Sequence, residues 1–387
     1  MTIAIDIRSL SGGAYTGVGE YTRNLLKYMI PLDPGIRFKL FFNAHGSKPD
    51  LSFLDGAGNI ELCIFRYPNK YFSARTRFLN SPKIDKLIAG CDVFFSPHFI
   101  SAPVGKNCKK VTTFHDLSFE RYPEFFDIRR KLWHFSNNPK RQAQEADRII
   151  AVSGSTAYDL SDIYGVDSGK INIVYSGITE DFFREHTREE LWHVRAKYKL
   201  PERFILSLST IEPRKNILGT VKAFELFKNN MCGVGLPTSD DCKLVIAGRP
   251  GWLYKETFEA IKKSKWREDI KYIDFVEDED KPALYKLAEL FVYPSIYEGF
   301  GFPVLEAMAS GTPVITSACS SLPEVVEDAA LMADPFNISD IAWTMEEVVR
   351  DKNLASFLRG KGLVQARKFS WQKCAEETLK ILRMGVL

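Results

Sequence analysis

Short apolar and β-branched runs alternate along this chain with longer segments in which hydrophobic positions recur about every 3.6 residues, the pattern of buried strands alternating with amphipathic helices. The first half predicts strands at residues 3–7, 38–42, 93–96, 111–114 and 148–152, with a helix at 18–29 after the first strand. The rhythm restarts with predicted strands at residues 204–207, 243–247, 270–275, 290–293, 313–316 and 330–333. This alternation is typical of parallel sheets covered by helices on both faces, so we predict an α/β protein with two doubly wound, Rossmann-like domains.

A chain of 387 residues exceeds what one hydrophobic core usually supports, which independently favours two domains facing a cleft. Residues 175–180 are the predicted hinge, and a polar helix follows them and ends near Pro201. We place the first domain at residues 1–178 and the second at residues 179–370. Residues 371–387 begin with a stretch of helical period, and we expect this helix to return to the first domain.

The net charge of +3 is too small for a nucleic-acid-binding protein, which concentrates many more cations on one face. Seven dispersed cysteines lack metal-ligand spacing and fit a reducing compartment. The amino terminus reads as a first strand and not as a signal peptide, and no apolar run reaches the ~20 residues of a transmembrane helix. We therefore expect a cytoplasmic protein, with peripheral membrane contact as an option and no nucleic acid among its partners.

Two segments of the first domain follow predicted strands and carry polar chemistry. The glycine-rich turn after the first strand ends with Gly17 and Gly19 where a helix opens, so backbone N–H groups and the helix dipole favour a phosphate there. A tight turn without a ligand explains the same pattern. His115 ends another strand and precedes Asp116, which we expect to orient its ring toward a sugar hydroxyl or the reacting centre, with a structural His–Asp pair as the alternative. His98 adds a second polar group after the preceding strand.

The segment after the first strand of the second domain reads S-T-I-E-P-R-K-N over residues 209–216. Arg214 and Lys215 stand where the next helix begins, so two cations and helix N–H groups would converge on one anion, as a diphosphate leaving group requires. Glu212 is available as their internal counter-ion. The alternative is a solvated turn with two unrelated cations.

The most specific segment is residues 298–314, E-G-F-G-F-P-V-L-E-A-M-A-S-G-T-P-V. Pro303 stands where a first helical residue belongs, which predicts Glu306 in the first helical turn. A helix-dipole role worth ~0.3–1 kcal/mol would explain Glu306. It would not explain Glu298 or the two loop glycines, whereas two carboxylates at different depths can accept hydrogen bonds from two hydroxyl-rich groups, a hexose and a ribose.

Two glutamates with seven residues between them in this setting closely resemble the signature of family 4 of the retaining glycosyltransferases, which have the two-domain GT-B fold. The resemblance extends over nearly the whole chain, through the glycine-rich turn, His115, the hinge, the Arg214–Lys215 pair and the C-terminal helix. It implies an N-terminal acceptor-binding domain, a C-terminal donor-binding domain, and transfer of a hexose from a nucleotide sugar with retention of anomeric configuration.

The resemblance also implies roles for individual residues. Lys215 and Arg214 bind the donor diphosphate, and Glu306 accepts from the ribose. Glu298 holds the transferred hexose, and His115 faces its reacting side. The implied catalytic set is His115, Glu298, Arg214 and Lys215. The implied donor-binding set is Gly17, Gly19, Thr210, Arg214, Lys215, Phe300, Gly301, Phe302 and Glu306.

Many family members have an arginine five residues before the lysine, where this chain has Thr210, so Arg214 is expected to take over part of that cationic role. The variant S-T-I-E-P-R-K-N resembles a subset of bacterial mannosyltransferases of polysaccharide and lipopolysaccharide O-antigen assembly. This favours GDP-mannose as donor and a glycan or lipid-linked glycan as acceptor, with a UDP- or ADP-sugar as the alternative donor. No Asp-x-Asp metal motif stands out, so protein cations, and no metal or other cofactor, are expected to oppose the charge that grows on the β-phosphate.

Residues 121–141 interleave aromatic and basic side chains, a pattern typical of an ordinary amphipathic helix with solvated cations; a surface that rests on anionic lipid and meets a lipid-linked acceptor is the alternative. A sugar-nucleotide epimerase or a phosphorylase would share the phosphate site. A non-catalytic nucleotide-sugar-binding assembly subunit would have no use for both glutamates and the cationic pair. Catalysis across a cleft is expected to require domain closure.

Overall fold

The computed structural model describes residues 1–11, 17–44, 49–231 and 241–384. The chain divides into two compact units. The first contains Met1–Arg121, Ile128–Gly177 and Ser370–Leu387, and the second contains Tyr122–Asp127 and Ile178–Phe369.

The first unit is built on a seven-stranded sheet in the order β3-β2-β1-β4-β5-β6-β7, with every pair parallel. Its strands are β1 (Thr2–Asp6), β2 (Arg37–Asn43), β3 (Ile60–Phe65), β4 (Val93–Ser96), β5 (Lys109–Phe114), β6 (Arg148–Ala151) and β7 (Ile171–Ile173). Its helices are α1 (Gly17–Met29), α2 (Asn69–Phe78), α3 (Ile84–Leu87), α4 (Ser118–Arg121), α5 (Ile128–Asn137), α6 (Pro139–Glu145), α7 (Gly154–Tyr164) and, from the far end of the chain, α16 (Trp371–Met384).

The second unit is built on a six-stranded parallel sheet in the order β10-β9-β8-β11-β12-β13. Its strands are β8 (Phe204–Leu208), β9 (Lys243–Ala247), β10 (Ile270–Ile273), β11 (Leu290–Tyr293), β12 (Val314–Ser317) and β13 (Leu331–Ala333). Its helices are α8 (Arg188–Lys197), α9 (Ile217–Met231), α10 (Lys255–Lys263), α11 (Lys281–Leu287), α12 (Phe302–Ala309), α13 (Leu322–Val326), α14 (Ile338–Arg350) and α15 (Lys352–Ala366).

Central strands are buried along their whole length because helices cover both faces of each sheet. All residues of β4, β8, β11 and β12 are buried, which matches their almost continuous runs of apolar residues. Every strand predicted from the sequence is present, so the two-domain Rossmann-like prediction is confirmed. The strand order reverses between β1 and β4 in the first sheet and between β8 and β11 in the second. Loops that leave the carboxyl ends of strands at such a point diverge, and the crevice between them is where open α/β sheets bind ligands.

The C-terminal helix α16 belongs to the first unit, as predicted. The ring of its first residue, Trp371, meets that of Tyr21 on α1 at a centroid distance of 5.9 Å. The backbone at Trp371 also packs directly against Gly177, because a Cβ on Gly177 would lie 2.1 Å from the backbone nitrogen of Trp371. Glycine is therefore required at the point where the chain leaves the first unit.

Residues 122–127 were placed in the first domain by the sequence prediction, but this segment clusters with the second unit. The indole Nε1 of Trp252 donates to the carbonyl oxygen of Phe125, and the same indole stacks on Phe126 at a centroid distance of 5.8 Å. These contacts with a residue far along the sequence explain why a local sequence pattern does not indicate where the segment packs.

Candidate active site

The loops that follow β8 and β11 are fixed to each other at the switch point of the second sheet. The backbone amide of Ile296 donates to the carbonyl oxygen of Arg214 at 2.8 Å, and Ser295 Oγ donates to the same oxygen at 3.0 Å. Asn216 has a left-handed φ of 55° at the end of the β8 loop, and its Nδ2 donates to the carbonyl oxygen of Pro294 at 3.1 Å. These bonds bring side chains from two distant parts of the sequence into one cluster.

Arg214 is held by carboxylates on two sides. Its Nε and Nη2 donate to Oε1 of Glu212 at 3.1 and 2.8 Å. Its Nη1 donates to the carbonyl oxygen of Tyr297 at 2.9 Å and to Oε2 of Glu298 at 3.2 Å. Glu212 is therefore the counter-ion that the sequence predicted, and Glu298 is a second one. Four hydrogen bonds fix the plane of the guanidinium group in advance of any ligand.

Glu298 is the principal acceptor of the cluster. Its Oε1 accepts from Lys215 Nζ at 2.5 Å, from Ser295 Oγ at 2.7 Å and from the Tyr293 hydroxyl at 2.9 Å. Lys215 Nζ also donates to the Tyr293 hydroxyl at 2.7 Å. The Lys215 and Glu298 side chains are only 11% and 7% exposed, so this network is largely shielded from water.

Charges in the cluster balance, because two carboxylates, Glu212 and Glu298, accompany two cations, Arg214 and Lys215. Burial alone would raise the pKa of Glu298, but the charges of Lys215 and Arg214 lower it to about 2, so the carboxylate is ionised at neutral pH. Burial lowers the pKa of Lys215, with a further contribution from Arg214, while Glu298 opposes both effects. An anion at this site would be recognised by positioned N–H donors more than by an excess of positive charge.

The start of α12 depends on a glycine. Gly301 caps this helix with a φ of 109°, a backbone conformation that residues with a side chain rarely adopt, so the backbone favours glycine here. The helix begins at Phe302, one residue before the predicted Pro303. The buried ring of Phe300 meets that of Phe302 at 5.1 Å and fixes the loop that leads into the helix.

Glu306 lies in the second turn of α12, and its predicted place in the first turn is wrong because the helix begins earlier. It is 9% exposed, and its Oε2 accepts from the hydroxyl of Tyr285 at 2.8 Å. Burial raises the pKa of Glu306, with the charge of Lys281 opposing. The stabilisation of a carboxylate by the helix dipole falls off within the first turn, so a dipole role does not account for this buried acid.

His115 follows β5 in the first unit. Its Nε2 lies 2.8 Å from the carbonyl oxygen of Pro97, and since a carbonyl only accepts, Nε2 carries the proton and Nδ1 is an acceptor. Burial lowers the pKa of His115, so the ring is neutral at pH 7. The prediction that Asp116 orients this ring is wrong, because Asp116 Oδ1 instead accepts from the amide and hydroxyl of Ser118 at 2.9 and 2.6 Å.

The glycine-rich turn lies partly outside the described residues, which omit positions 12–16. Gly17 is the first residue of α1, and Gly19 is buried in the first turn of that helix. Among the described residues, a Cβ on Gly17 would meet no atom within 4 Å, so packing against them does not explain glycine at this position. Thr210, the remaining member of the predicted donor set, is exposed in the β8 loop.

Residues 278–280 read Asp-Glu-Asp, which has the spacing of an Asp-x-Asp motif. Both aspartates have cationic partners. Asp280 Oδ2 accepts from Lys197 Nζ at 2.6 Å and from the Tyr198 hydroxyl at 2.7 Å, and Asp278 pairs with Lys281 at 2.5 Å. Across the described part of the chain, no group of three or more His, Cys, Asp or Glu side chains is placed to hold a metal ion.

The structure thus brings together Arg214, Lys215 and Glu298 in the second unit, while His115 belongs to the first. Tyr293 and Ser295 are members of the cluster that the sequence reasoning missed. The available signal was their position, since both stand at the end of a predicted strand just before Glu298.

Comparison with known proteins identifies the class. A model described as "Glycosyl transferases group 1" matches residues 189–362, and one described as "Glycosyltransferase Family 4" matches residues 15–182. O-antigen chain mannosyltransferase B of Escherichia coli is 32% identical over 292 residues, which are 75% of this chain and 72% of that protein. The serotype-specific mannosyltransferase WbdA of Escherichia coli is 33% identical over 275 residues, but these are only 32% of its length.

A solved structure of the Anabaena protein HepE in complex with UDP and glucose has a TM-score of 0.72 to this chain at 16% identity, with 99% of this chain and 100% of that one covered. Together with the two Rossmann-like units, this likeness defines a glycosyltransferase fold of the GT-B type. The chain belongs to glycosyltransferase family 4. It is a glycosyltransferase, and the family resemblance stated from its sequence is confirmed.

Proposed function

We propose that this chain is a retaining mannosyltransferase of bacterial O-antigen or related polysaccharide assembly. It transfers mannose from GDP-mannose to a glycan or lipid-linked glycan at the cytoplasmic face of a membrane, with no metal. The relatives named as O-antigen mannosyltransferases support the sugar and the pathway, and one of them matches over 72% of its own length.

The observation that carries the proposal is the contact of Lys215 and Arg214 with Glu298 at the switch point of the second sheet. Two fixed cations beside a carboxylate are the groups that a sugar diphosphate needs. The cations face phosphate oxygens, and the carboxylate accepts from sugar hydroxyls. The carboxylate also keeps both cations in place when no donor is bound.

Charge stabilisation is the chemistry that these residues perform in the proposed reaction. As the bond from the sugar to the β-phosphate lengthens, negative charge grows on the phosphate and the hexose becomes oxocarbenium-like. Arg214 donates four hydrogen bonds to protein acceptors, and Lys215 donates one to Glu298 and one to the Tyr293 hydroxyl. Both cations are therefore already oriented and oppose the growing charge without reorganisation. No metal is needed for this step.

The two histidine nitrogens have different roles in this proposal. Nε2 of His115 is occupied by the carbonyl oxygen of Pro97, which leaves Nδ1 to accept a hydrogen bond from a sugar hydroxyl. Attack on the same face as the departing phosphate gives retention, and the phosphate assists in removing the proton from the acceptor hydroxyl. Glu306, buried in the second turn of α12, accepts from the ribose.

Calorimetric titration with GDP, UDP and ADP, each with and without EDTA, tests the donor site. We expect GDP to bind most tightly and EDTA to change nothing. Lys215→Ala should weaken GDP binding about 10- to 100-fold, since a charge-assisted hydrogen bond contributes ~1.5–3 kcal/mol. The control is Lys222→Ala, which removes an exposed lysine from α9 and should bind GDP normally.

Tighter binding of UDP or ADP than of GDP would contradict the choice of donor while leaving the enzyme class intact. Loss of binding in EDTA that Mg²⁺ restores would contradict metal independence. Binding of a sugar nucleotide with neither hydrolysis nor transfer to any glycan would favour the assembly-subunit alternative.

A further inference from the structure

Two segments of the first unit concentrate positive charge to a degree that the whole chain does not. Residues 66–83 include α2, and residues 128–144 include α5 and most of α6. Together they contain ten Lys and Arg residues and no Asp or Glu. The net charge of the chain is only +3, so subtracting these ten leaves −7 on the rest of the protein. We call residues 66–83 and 128–144 the α2–α5 surface.

The two segments are held together by a hydrogen bond at the ends of their helices. Arg77 Nη1 near the end of α2 donates to Ser136 Oγ near the end of α5 at 2.8 Å. The next residue after Arg77 is Phe78, which is 76% exposed, and the residue before Ser136 is Phe135, which is 83% exposed. Two large aromatic side chains therefore reach solvent beside the bond that joins the segments.

Further exposed apolar side chains continue this feature. On α5, Ile128 and Leu132 are 75% and 61% exposed and lie seven and three residues before Phe135, which places all three on one helix face. Leu79, directly after α2, is 67% exposed. A protein in water rarely leaves so many adjacent large apolar groups uncovered without a binding role.

Basic residues alternate with these apolar positions along the sequence. Arg129 and Lys131 stand between Ile128 and Leu132 and are exposed, and Lys70 and Lys140 are exposed elsewhere on the same surface. This combination is typical of an interfacial helix, whose apolar side chains enter the boundary between headgroups and acyl chains while its cations meet anionic headgroups. Within the described residues, no helix is long and apolar enough to cross a membrane.

We infer that the α2–α5 surface docks on an anionic lipid bilayer. Charge argues for this occupant over a second copy of the chain, because a symmetric contact would place ten cations against ten others. The α2–α5 surface is thus the part of the protein that would make the membrane contact included in the proposed function. The inference rests on residues apart from the donor cluster, so it stands or falls independently of the choice of donor.

Sedimentation of the full chain with lipid vesicles tests the inference. We expect strong binding to vesicles that contain phosphatidylglycerol in phosphatidylcholine, little binding to phosphatidylcholine alone, and weakening at high salt. Arg129→Gln with Lys131→Gln should reduce binding to anionic vesicles about 30-fold, because each cation near such a surface strengthens binding about fivefold. Phe135→Ser should also reduce binding.

Matched variants and a second readout separate docking from misfolding. Lys262→Gln with Lys263→Gln removes two exposed cations from α10, and Phe357→Ser removes a 56% exposed aromatic from α15, so both should sediment like the unmodified protein. All variants should retain their GDP affinity and thermal midpoint. Equal binding to neutral and anionic vesicles, or equal losses in the control variants, would overturn the inference. So would a dimer in ultracentrifugation that Phe135→Ser dissociates while vesicle binding is absent.

Discussion

Replacing Glu298 by Gln tests whether the charge of this side chain, and not only its shape, holds the cluster together. The substitution removes the carboxylate that Lys215 and Arg214 stabilise so strongly that its pKa falls from 4.5 to about 2. Each pKa unit corresponds to ~1.36 kcal/mol, so ionised Glu298, net of its desolvation, stabilises the fold by about 3 kcal/mol. Glu298 is only 6% exposed, and breaking a buried pair typically costs ~3–5 kcal/mol. We expect Glu298→Gln to lower the free energy of unfolding of the second unit by about 3 kcal/mol at pH 7.

The pH dependence of the same variant gives an independent check. The pKa of Glu298 is lower in the folded protein than in the unfolded chain, so its stabilisation is complete above pH 4.5 and is lost as the pH falls from 4.5 towards 2. At pH 3.5 the unmodified protein should have lost roughly 1 kcal/mol of the stabilisation that ionised Glu298 provides. The Gln variant lacks this stabilisation at every pH. Urea unfolding followed by tryptophan fluorescence between pH 7 and pH 3.5 should therefore show the two proteins converging.

The control is Glu268→Gln, which removes a carboxylate with an 87% exposed side chain from the same unit. An exposed ion pair contributes ~0–1 kcal/mol, so this variant should unfold almost as the unmodified protein does. The reasoning would be refuted if the two Gln variants were equally stable, or if the stability difference between Glu298→Gln and the unmodified protein were the same at every pH.

Three further substitutions, one of them with a matched control, probe other parts of the site. Glu306→Gln should weaken GDP binding in calorimetry. It should leave the free energy of unfolding at pH 8 unchanged or higher, because burial raises the pKa of Glu306 and the folded protein loses stability as the pH rises through that pKa. A loss of several kcal/mol in this variant would contradict the argument. Gly301→Ala should lower the free energy of thermal unfolding by about 1–3 kcal/mol, because alanine is strained at a φ of 109°. The control is Gly360→Ala on α15, where a Cβ meets no atom within 4 Å, and this variant should raise the free energy of unfolding by about 0.4–1 kcal/mol. Equal effects of the two substitutions would refute the backbone argument. His115→Ala should abolish transfer in a product assay with GDP affinity preserved, and full transfer would remove His115 from the reaction.

The strands of both sheets were predictable because buried parallel strands leave a strong local pattern. The two strands that were not predicted, β3 and β7, lie at opposite edges of the first sheet. In β3, Leu62 and Ile64 are 44% and 39% exposed, and β7 has only three residues, of which Ile173 is 48% exposed. An edge strand is covered less completely by helices, so its sequence carries less of the hydrophobic signal.

The principal cluster could be predicted only in part from the sequence. Arg214, Lys215 and Glu298 each follow a predicted strand, and the parallel topology brings the ends of β8 and β11 together. What the sequence could not supply was the pairing itself. That Lys215 reaches Tyr293, and that Asp116 bonds Ser118 instead of His115, depends on side-chain rotamers and on contacts between residues distant in sequence.

The measurement that tests the central claim most directly is the identity of the transferred sugar. The protein is incubated with a synthetic mannose-terminated acceptor and an equimolar mixture of 13C-labelled GDP-mannose, unlabelled UDP-glucose and unlabelled ADP-glucose, in EDTA, and the product is examined by mass spectrometry and NMR. The account predicts a product that gains one labelled hexose in the α configuration of the donor, and no such product from Lys215→Ala. An unlabelled hexose, a β linkage, or full activity of the Lys215→Ala variant would contradict it.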